Sequence, residues 1–343
     1  TQVEYLPFVG FQPKNSLILG AGAGKDVLQA LLSGSEQITA VEVNPAMVAI
    51  TRAHADYNGA ILDAPGVTTV VADGRAFVAR SADQYDMIYM NLVYSQAPAP
   101  GSSALSESYV FTAEAFQDYW QHLSADGRLA IVAHQGLEGS RAMITALKAL
   151  ELEGIPAQDA LKHMALMMYN ADDPNQAATV FLLQKSPLTE AQIQLLNQGV
   201  VALDMSPLYL PGVFETLFAG LGDGSMHVDD FLVQTDYNLA PTDDNQPFFF
   251  NLTPGLPEAL RTLLMAAGAA LILYLLAMLG RRSRPSAAQL VYFGGLGLGF
   301  MLIETPLIQR TILAAGSPTL SMAVVLIALM LGGGLGSWLS GHW

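Results

Sequence analysis

The sequence predicts an α/β domain built on a doubly wound, mostly parallel sheet, followed by transmembrane α-helices. Three observations predict it. Strand-like and helix-like runs alternate through the first half, a glycine-rich turn joins the first such pair, and the last quarter holds apolar runs of membrane-spanning length. A mean hydropathy of +0.36 with 52% apolar residues is high for a water-soluble chain of 343 residues, yet 30 acidic side chains outnumber 15 basic ones. The two properties belong to different regions. Nearly all the charge precedes Arg284, and the composition shifts near Pro257. The expected division is a cofactor-binding domain over residues 1–255 and a membrane domain over residues 256–343.

The alternation runs in order. Residues 16–19 read as a strand and 26–32 as a helix; 37–43 as a strand and 45–55 as a helix; 67–72 as a strand, with a short helix from Arg75. Residues 85–92 follow as a fourth strand, 112–123 as a helix, 128–133 as a fifth strand and 140–150 as a helix. Beyond these, 165–169 and 178–183 read as a closing antiparallel pair, with helices near 190–197 and 213–221. Met164, Met167 and Met168 read as core packing.

The first strand ends in Leu17-Ile-Leu-Gly20-Ala-Gly22-Ala-Gly24-Lys-Asp26 and opens directly into a helix, so the glycines let the backbone turn tightly beneath a ligand. About 20 residues on, the second strand ends at Glu42 in Val41-Glu42-Val43-Asn44-Pro45, where a carboxylate can accept both ribose hydroxyls. Together these specify a nucleoside-containing cofactor. Asp73, in Ala72-Asp73-Gly74-Arg75, follows the third strand on the same carboxyl edge and is placed to hold an adenine amino group.

The acidic balance argues against nucleic acid as a partner, because phosphate recognition needs clustered Lys and Arg. With no cysteine, the chain has no disulfide, thiolate metal site or Cys nucleophile. His54, His122, His134 and His163 lack metal-ligand spacing, so no metal site is expected, and Ser95 and Ser106 lie in no nucleophile-elbow motif.

In the membrane part, spans are expected at about 262–280, 287–308 and 318–339, which makes membrane lipid a partner. Gly294, Gly295, Gly297 and Gly299 in the second, and Gly332 to Gly336 in the third, suit close helix packing. Glu304 and Arg310 read as a structural ion pair or interfacial charges, with an ion or substrate pathway as the functional alternative, and Pro306 as a kink or break. Arg281, Arg282 and Arg284 form a topology signal that places their loop in the cytoplasm, and so the preceding domain outside if residues 262–280 make one full span. The start at Thr1 and the stop at Trp343 suggest further sequence at both ends, whose spans would then set the topology.

The residues 17–26, 41–45, 73–77, Tyr109-Val-Phe-Thr112-Ala-Glu114-Ala-Phe116 and 123–129 resemble the spermidine synthase family. The segment Pro241-Thr-Asp243-Asp244-Asn-Gln-Pro247-Phe-Phe-Phe250, with 295–310 and 332–337, resembles bacterial membrane proteins in which such a domain is fused to transmembrane helices. The resemblance implies a Rossmann-like sheet of the S-adenosylmethionine-dependent transferase type, which the G-x-G-x-G spacing also resembles more than it does nicotinamide dehydrogenases. Gly20, Gly22, Gly24, Asp26, Glu42 and Asp73 would then contact S-adenosylmethionine or its decarboxylated form. It further implies a multi-pass protein of the bacterial inner membrane, its domain on the cytoplasmic side where that cofactor lies, a small-molecule acceptor, an amine among the candidates, and homo-oligomerisation.

The sequence departs from the family where Asp-x-x-Asp follows the fourth strand. Aligning on Tyr85-Asp86 puts Asn91 and Tyr94 at those positions. Asn is not a base, and Tyr lacks the charge that attracts a cationic amine at neutral pH. Aminopropyl transfer would need an anionic pocket from elsewhere, with Glu107, Glu114, Asp243 and Asp244 as candidates; methyl transfer tolerates Asn91 and Tyr94. Glu107 lies in the loop after the fourth strand, whereas Asp243 and Asp244 also suit a turn or cap. Two functions follow: a membrane-anchored group transferase, or a non-catalytic domain sensing a nucleoside cofactor and regulating a membrane transporter.

Overall fold

The computed structural model describes residues 3–91, 107–134, 136–169, 177–279, 286–315 and 318–340. The chain divides into two compact units, Thr1–Pro257 and Glu258–Trp343. The first contains eight strands: β1 (Asn15–Leu19), β2 (Gln37–Glu42), β3 (Val67–Val71), β4 (Tyr85–Asn91), β5 (Leu123–Ala133), β6 (Met164–Tyr169), β7 (Ala178–Gln184) and β8 (Ser206–Tyr209). They form one sheet in the order β3-β2-β1-β4-β5-β7-β6-β8. The first five are parallel, and β7, β6 and β8 extend the sheet with antiparallel pairings.

Register brings the carboxyl ends of the parallel strands to one edge. Leu19 lies opposite Val41 on one side and Met90 on the other, Glu42 opposite Val71, and Asn91 opposite Val132. The chain builds outward from β1 through β2 to β3, then returns to β4 and β5 on the other side. The switch point between β1 and β4 is where an open sheet of this kind leaves a crevice for a ligand.

The helices of this unit are α1 (Lys25–Leu32), α2 (Pro45–Ala53), α3 (Ala55–Asn58), α4 (Gly74–Arg80), α5 (Ala113–His122), α6 (Gly136–Leu152), α7 (Ala157–Ala160), α8 (Glu190–Ala202), α9 (Ala219–Gly222) and α10 (Val228–Gln234). Successive strand residues alternate between two buried layers. Leu17, Leu19, Ile88, Met90, Leu129 and Ile131 face Phe116, Tyr119 and Leu147, while Ile18, Met87, Tyr89, Ala130 and Val132 share a layer with Leu6, Phe8 and Val27. Burial on both faces explains why these strands read as near-continuous apolar runs. Helix starts follow local chemistry: Asn44 Oδ1 accepts the Ala46 N–H at 3.0 Å with Pro45 next in line, and Thr189 and Gln192 form a capping box.

Two buried arginines tie distant segments to this core. Arg128, fully buried, donates to Pro7 O (2.8 Å) and Gln184 Oε1 (2.9 Å) beneath the ring of Phe11, fixing the N-terminal 3-10 helix Val3–Phe8. Arg141 donates to Ala240 O, Phe248 O, Phe249 O and Asn251 O at 2.8 to 3.2 Å, fixing the segment before the boundary. Burial lowers both guanidinium pKa values to about 10.

Several elements differ from expectation. β5 starts at Leu123 rather than 128 and α6 at Gly136 rather than 140. The helix expected over 213–221 is instead a tight turn, in which Leu210 and Phe214 exchange main-chain hydrogen bonds at 2.7 and 2.9 Å, followed by a 3-10 turn (Thr216–Phe218) and the four-residue α9. Gly212, Gly220 and Gly222 disfavour a continuous helix there. Met164 and Met167 are fully buried core residues.

The second unit contains α11 (Glu258–Leu279), α12 (Ala287–Ala315) and α13 (Pro318–Ser340). Leu260–Ala277, Ala287–Ile308 and Leu320–Leu339 are long and apolar enough to cross a membrane. α12 and α13 pack together; Glu304, Ile308 and Thr311 are among the less exposed residues of the first, and Ser321 and Val325, four apart, are buried on the second. α12 continues unbroken through Pro306, contrary to a break there. Arg281, Arg282 and Arg284 lie outside the described residues.

Candidate active site

The loop after β1 is stitched to the end of β2: the N–H groups of Gly20 and Ala21 both donate to Val41 O, at 2.8 and 3.0 Å. Gly20, Gly22 and Gly24 have φ of +80°, +50° and +87°, where a side chain is strained. Gly24 has a second reason to be glycine, since a Cβ would lie 2.3 Å from Ile61 Cγ2. It caps α1 in the left-handed conformation.

Glu42 is fixed to this loop. Its Oε2 accepts the Gly22 N–H at 2.9 Å and its Oε1 the Asn44 N–H at 2.8 Å, with 8% of the residue exposed. A carboxylate offers about four acceptor positions, so two remain for ligand hydroxyls. On the next strand, Asp73 Oδ1 accepts the Ala76 N–H at 2.8 Å and caps α4, on the same edge as Glu42. The structure therefore brings Gly20, Gly22, Gly24, Glu42 and Asp73 to the carboxyl edge.

Asp26 lies in the first turn of α1 and is only 6% exposed. Its Oδ1 accepts from Asn91 Nδ2 at 2.8 Å, joining α1 to the end of β4. Burial raises its carboxyl pKa to about 6, the Asn91 hydrogen bond acting in the opposite sense and nearby Glu4 in the same sense. Glu4 itself is ion-paired with Lys25. The Asp26–Asn91 contact is invisible in the sequence, because 65 positions separate the two and no motif spans them.

Tyr94 lies outside the described residues. Glu107 Oε2 accepts from the Tyr109 hydroxyl at 3.4 Å, and burial together with the Glu107 charge raises the Tyr109 pKa. Glu114, Asp243 and Asp244 serve the fold: Asp243 Oδ1 accepts the N–H groups of Asn245 and Gln246 in a turn, Asp244 Oδ1 accepts from Thr112 Oγ1 at 2.7 Å, and Glu114 Oε2 accepts the Asp244 N–H. Arg75 bridges Asp118 and, at 3.8 Å, Asp244. Phe249 stacks on Phe111 at 4.3 Å, so the motif 241–250 is a clasp over α4 and α5. His122 and His163 bind main-chain carbonyls, and among the described residues no three His, Cys, Asp or Glu side chains form a metal cluster.

Residues 6–170, just under half of the chain, match the family model described as the spermine/spermidine synthase domain. This segment carries the similarity to the spermine/spermidine synthase family. Putrescine N-methyltransferase 2 of Nicotiana attenuata is 37% identical over 105 residues, covering 30% of this chain and 28% of that enzyme. Putrescine N-methyltransferase 1 of Nicotiana tabacum is 37% identical over 105 residues, covering 30% and 27%. The matches thus span less than a third of these relatives. Among solved structures, the spermidine synthase of Thermotoga maritima overlaps 64% of this chain and 72% of its own at 18% identity and a TM-score of 0.43. A putative methyltransferase of Streptococcus mutans in complex with SAH overlaps 53% and 94% at 18% identity and a TM-score of 0.36. The fold assignment rests on the strand order itself, with β1 between β2 and β4 and the reversed β7 inserted between β5 and β6.

Proposed function

We infer that the first unit binds S-adenosylmethionine or its decarboxylated form at the carboxyl edge of β1 to β4 and transfers a carbon group from its sulfonium to a small-molecule amine. The observation that carries this reading is Glu42, held by the Gly22 N–H with acceptor positions left for the ribose hydroxyls. Gly20 to Gly24 shape the cradle, and we assign Asp73, at the same edge as Glu42, to the adenine amino group. The putrescine N-methyltransferase relatives support an amine as acceptor.

The chemistry asks little of the protein beyond placement. The acceptor nitrogen lone pair forms the new N–C bond, the C–S bond breaks with its electron pair going to sulfur, a neutral thioether leaves, and an N–H proton passes to water. Holding the nitrogen in line with the C–S bond is the main contribution. The apolar helices α11 to α13 anchor the enzyme, which we place in a bacterial inner membrane with the domain on the cytoplasmic side, where this cofactor is found.

The test uses the full chain in detergent micelles with methyl-labelled S-adenosylmethionine or aminopropyl-labelled decarboxylated S-adenosylmethionine and putrescine, spermidine or cadaverine. A labelled amine from one donor, lost in Glu42→Ala, supports the transferase and names the transferred group. Cofactor binding without product from any pair contradicts it and favours a sensor of the same cofactor regulating transport. Glu304, a carboxylate within the α12 span with no ion pair among the described residues, would then be its first residue to test.

A further inference from the structure

Exposed apolar side chains are ordinary when scattered and informative when they share one surface. The chain that follows the edge strand β8 gathers several. Leu210 and Phe214 close their tight turn with Gly212 at a φ of +68°, and Glu215 Oε1 accepts the Gly212 N–H at 2.8 Å. In the 3-10 turn that comes next, Phe218 faces inward, only 1% exposed, with its ring 5.7 Å from that of Tyr209 and 5.4 Å from that of Phe231. Its neighbour Leu217 is left facing water. Phe214, Leu217 and Tyr237 line one open groove, which Phe218 and Phe231 also line, and Val213 is exposed beside Phe214. These four side chains, Val213, Phe214, Leu217 and Tyr237, are between 39% and 51% exposed.

The place of this patch and its chemistry name the partner. The Asn238 N–H donates to Leu252 O at 2.9 Å and Asn238 Nδ2 to Asn251 O at 2.7 Å, so Tyr237 lies beside the segment by which the chain leaves the unit. Glu258, where α11 starts, is six positions after Leu252, at most about 20 Å along an extended chain. No Lys or Arg occurs between Lys185 and Arg261. Attraction to anionic headgroups therefore does not hold this surface to a membrane, whereas a tyrosine beside Phe and Leu suits the boundary between headgroups and acyl chains. Asp236 also lines the groove, which confines the contact to that boundary layer. A second copy fits less well: a stable interface takes about 20–30 residues a side, and a two-fold contact here would bring the Asp236 carboxylates of both copies together.

We propose that Val213, Phe214, Leu217 and Tyr237 rest in the bilayer at the boundary of headgroups and acyl chains, so that the first unit binds the membrane surface directly. The contact is apolar and independent of lipid charge. The inference needs α11 to α13 to lie in a membrane and is independent of the cofactor reading.

The chain has no cysteine, so single thiols report on the full-length protein. Leu217→Cys, Tyr237→Cys, Tyr57→Cys and Leu264→Cys are each labelled with a small fluorophore and reconstituted into phosphatidylcholine vesicles with or without bromine on the acyl chains near the headgroups. Bromine quenches only at contact range. Leu264, within the Leu260–Ala277 span, is the control in lipid. Tyr57, 94% exposed in α3, is the apolar control in water, since α3 leads into β3 at the opposite edge of the sheet from β8. Brominated lipid is expected to lower emission about twofold or more at positions 217, 237 and 264 and to leave position 57 unchanged, with phosphatidylglycerol in the vesicles making no difference. Unquenched probes at 217 and 237 beside a quenched one at 264 overturn the proposal and leave the membrane reading intact. Energy transfer between donor- and acceptor-labelled Leu217→Cys chains, without quenching by lipid, overturns it in favour of a second copy. Quenching at 217 and 237 that appears only with phosphatidylglycerol overturns the apolar mode of contact, and an unquenched probe at 264 overturns the membrane reading beneath.

Discussion

The carboxylate of Glu42 accepts the main-chain N–H of Gly22 at 2.9 Å, so the acid at the end of β2 and the glycine loop after β1 form one rigid unit. Its other oxygen is bound by the Asn44 N–H at the start of α2. Glu42→Gln keeps one carbonyl acceptor, loses the other oxygen and removes the charge. Charge-assisted hydrogen bonds contribute about 1.5–3 kcal/mol, so cofactor affinity is expected to fall roughly 10- to 100-fold. Isothermal titration checks this, and an unchanged affinity would remove Glu42 from the site.

Gly24 is constrained twice, by a φ of +87° and by Ile61 Cγ2 at 2.3 Å from its would-be Cβ. Gly24→Ala is expected to destabilise the domain by about 2 kcal/mol or more and to abolish cofactor binding. Adding Ile61→Ala relieves the clash but not the dihedral strain, so thermal unfolding of the double variant is predicted to show no full rescue.

The sign of the Asp26 contribution to stability follows from its carboxyl, raised from 3.8 to about 6 mainly by burial. The folded state holds this proton more tightly than the unfolded state, so the cost is absent below about pH 4, grows as pH rises and is complete above about pH 6. Raising the carboxyl from 3.8 to about 6 corresponds to roughly 3 kcal/mol. Glu4 and Lys25 act on the Asp26 carboxylate through their charges, so Asp26→Asn removes the raised group together with those couplings. The variant is therefore expected to unfold at a higher temperature than wild type at pH 7.5, with the gap closing toward pH 4. A pH-independent gap would contradict the assignment.

Arg141 is the donor for four carbonyls of the segment from Ala240 to Asn251. Arg141→Ala leaves those acceptors unpaired, and a loss of about 3 kcal/mol or more is expected. Hydrogen exchange will show the effect concentrated in residues 240–251 and in the facing stretch around Phe111.

Because the chain has no cysteine, one introduced thiol reports its side of the membrane without background. Asp56, exposed in α3, is a suitable position. In intact cells of a bacterial host, Asp56→Cys should resist a membrane-impermeant maleimide and react after lysis. Labelling of intact cells would put the domain outside.

Much of the fold was legible because the strands are buried on both faces and punctuated by glycines and helix caps. The five parallel strands and the β6–β7 pair came from apolar runs bounded by Gly, Pro, Asn and Asp. β8 is not legible in the sequence, because it is a four-residue edge strand containing Pro207, too short to show a period. At the candidate site, the placement of Gly20 to Gly24, Glu42 and Asp73 on the carboxyl edge is legible because each follows the end of a parallel strand. The partnership of Asp26 with Asn91 was not, since only the parallel pairing of β1 with β4 brings α1 and residue 91 together. The contacts of Asp244 with Thr112, Glu114 and Arg75 are likewise tertiary, whereas Asp243 binds the nearby Asn245 and Gln246 N–H groups in a turn of the kind the sequence suggests.

The most direct test is calorimetric titration of the full chain in detergent micelles with S-adenosylmethionine and with its decarboxylated form, beside Glu42→Ala. Saturable binding of at least one of them by the wild type is expected, weakened about 100-fold or more in the variant. A folded wild-type protein that binds neither, or a variant that binds as tightly as wild type, would contradict it.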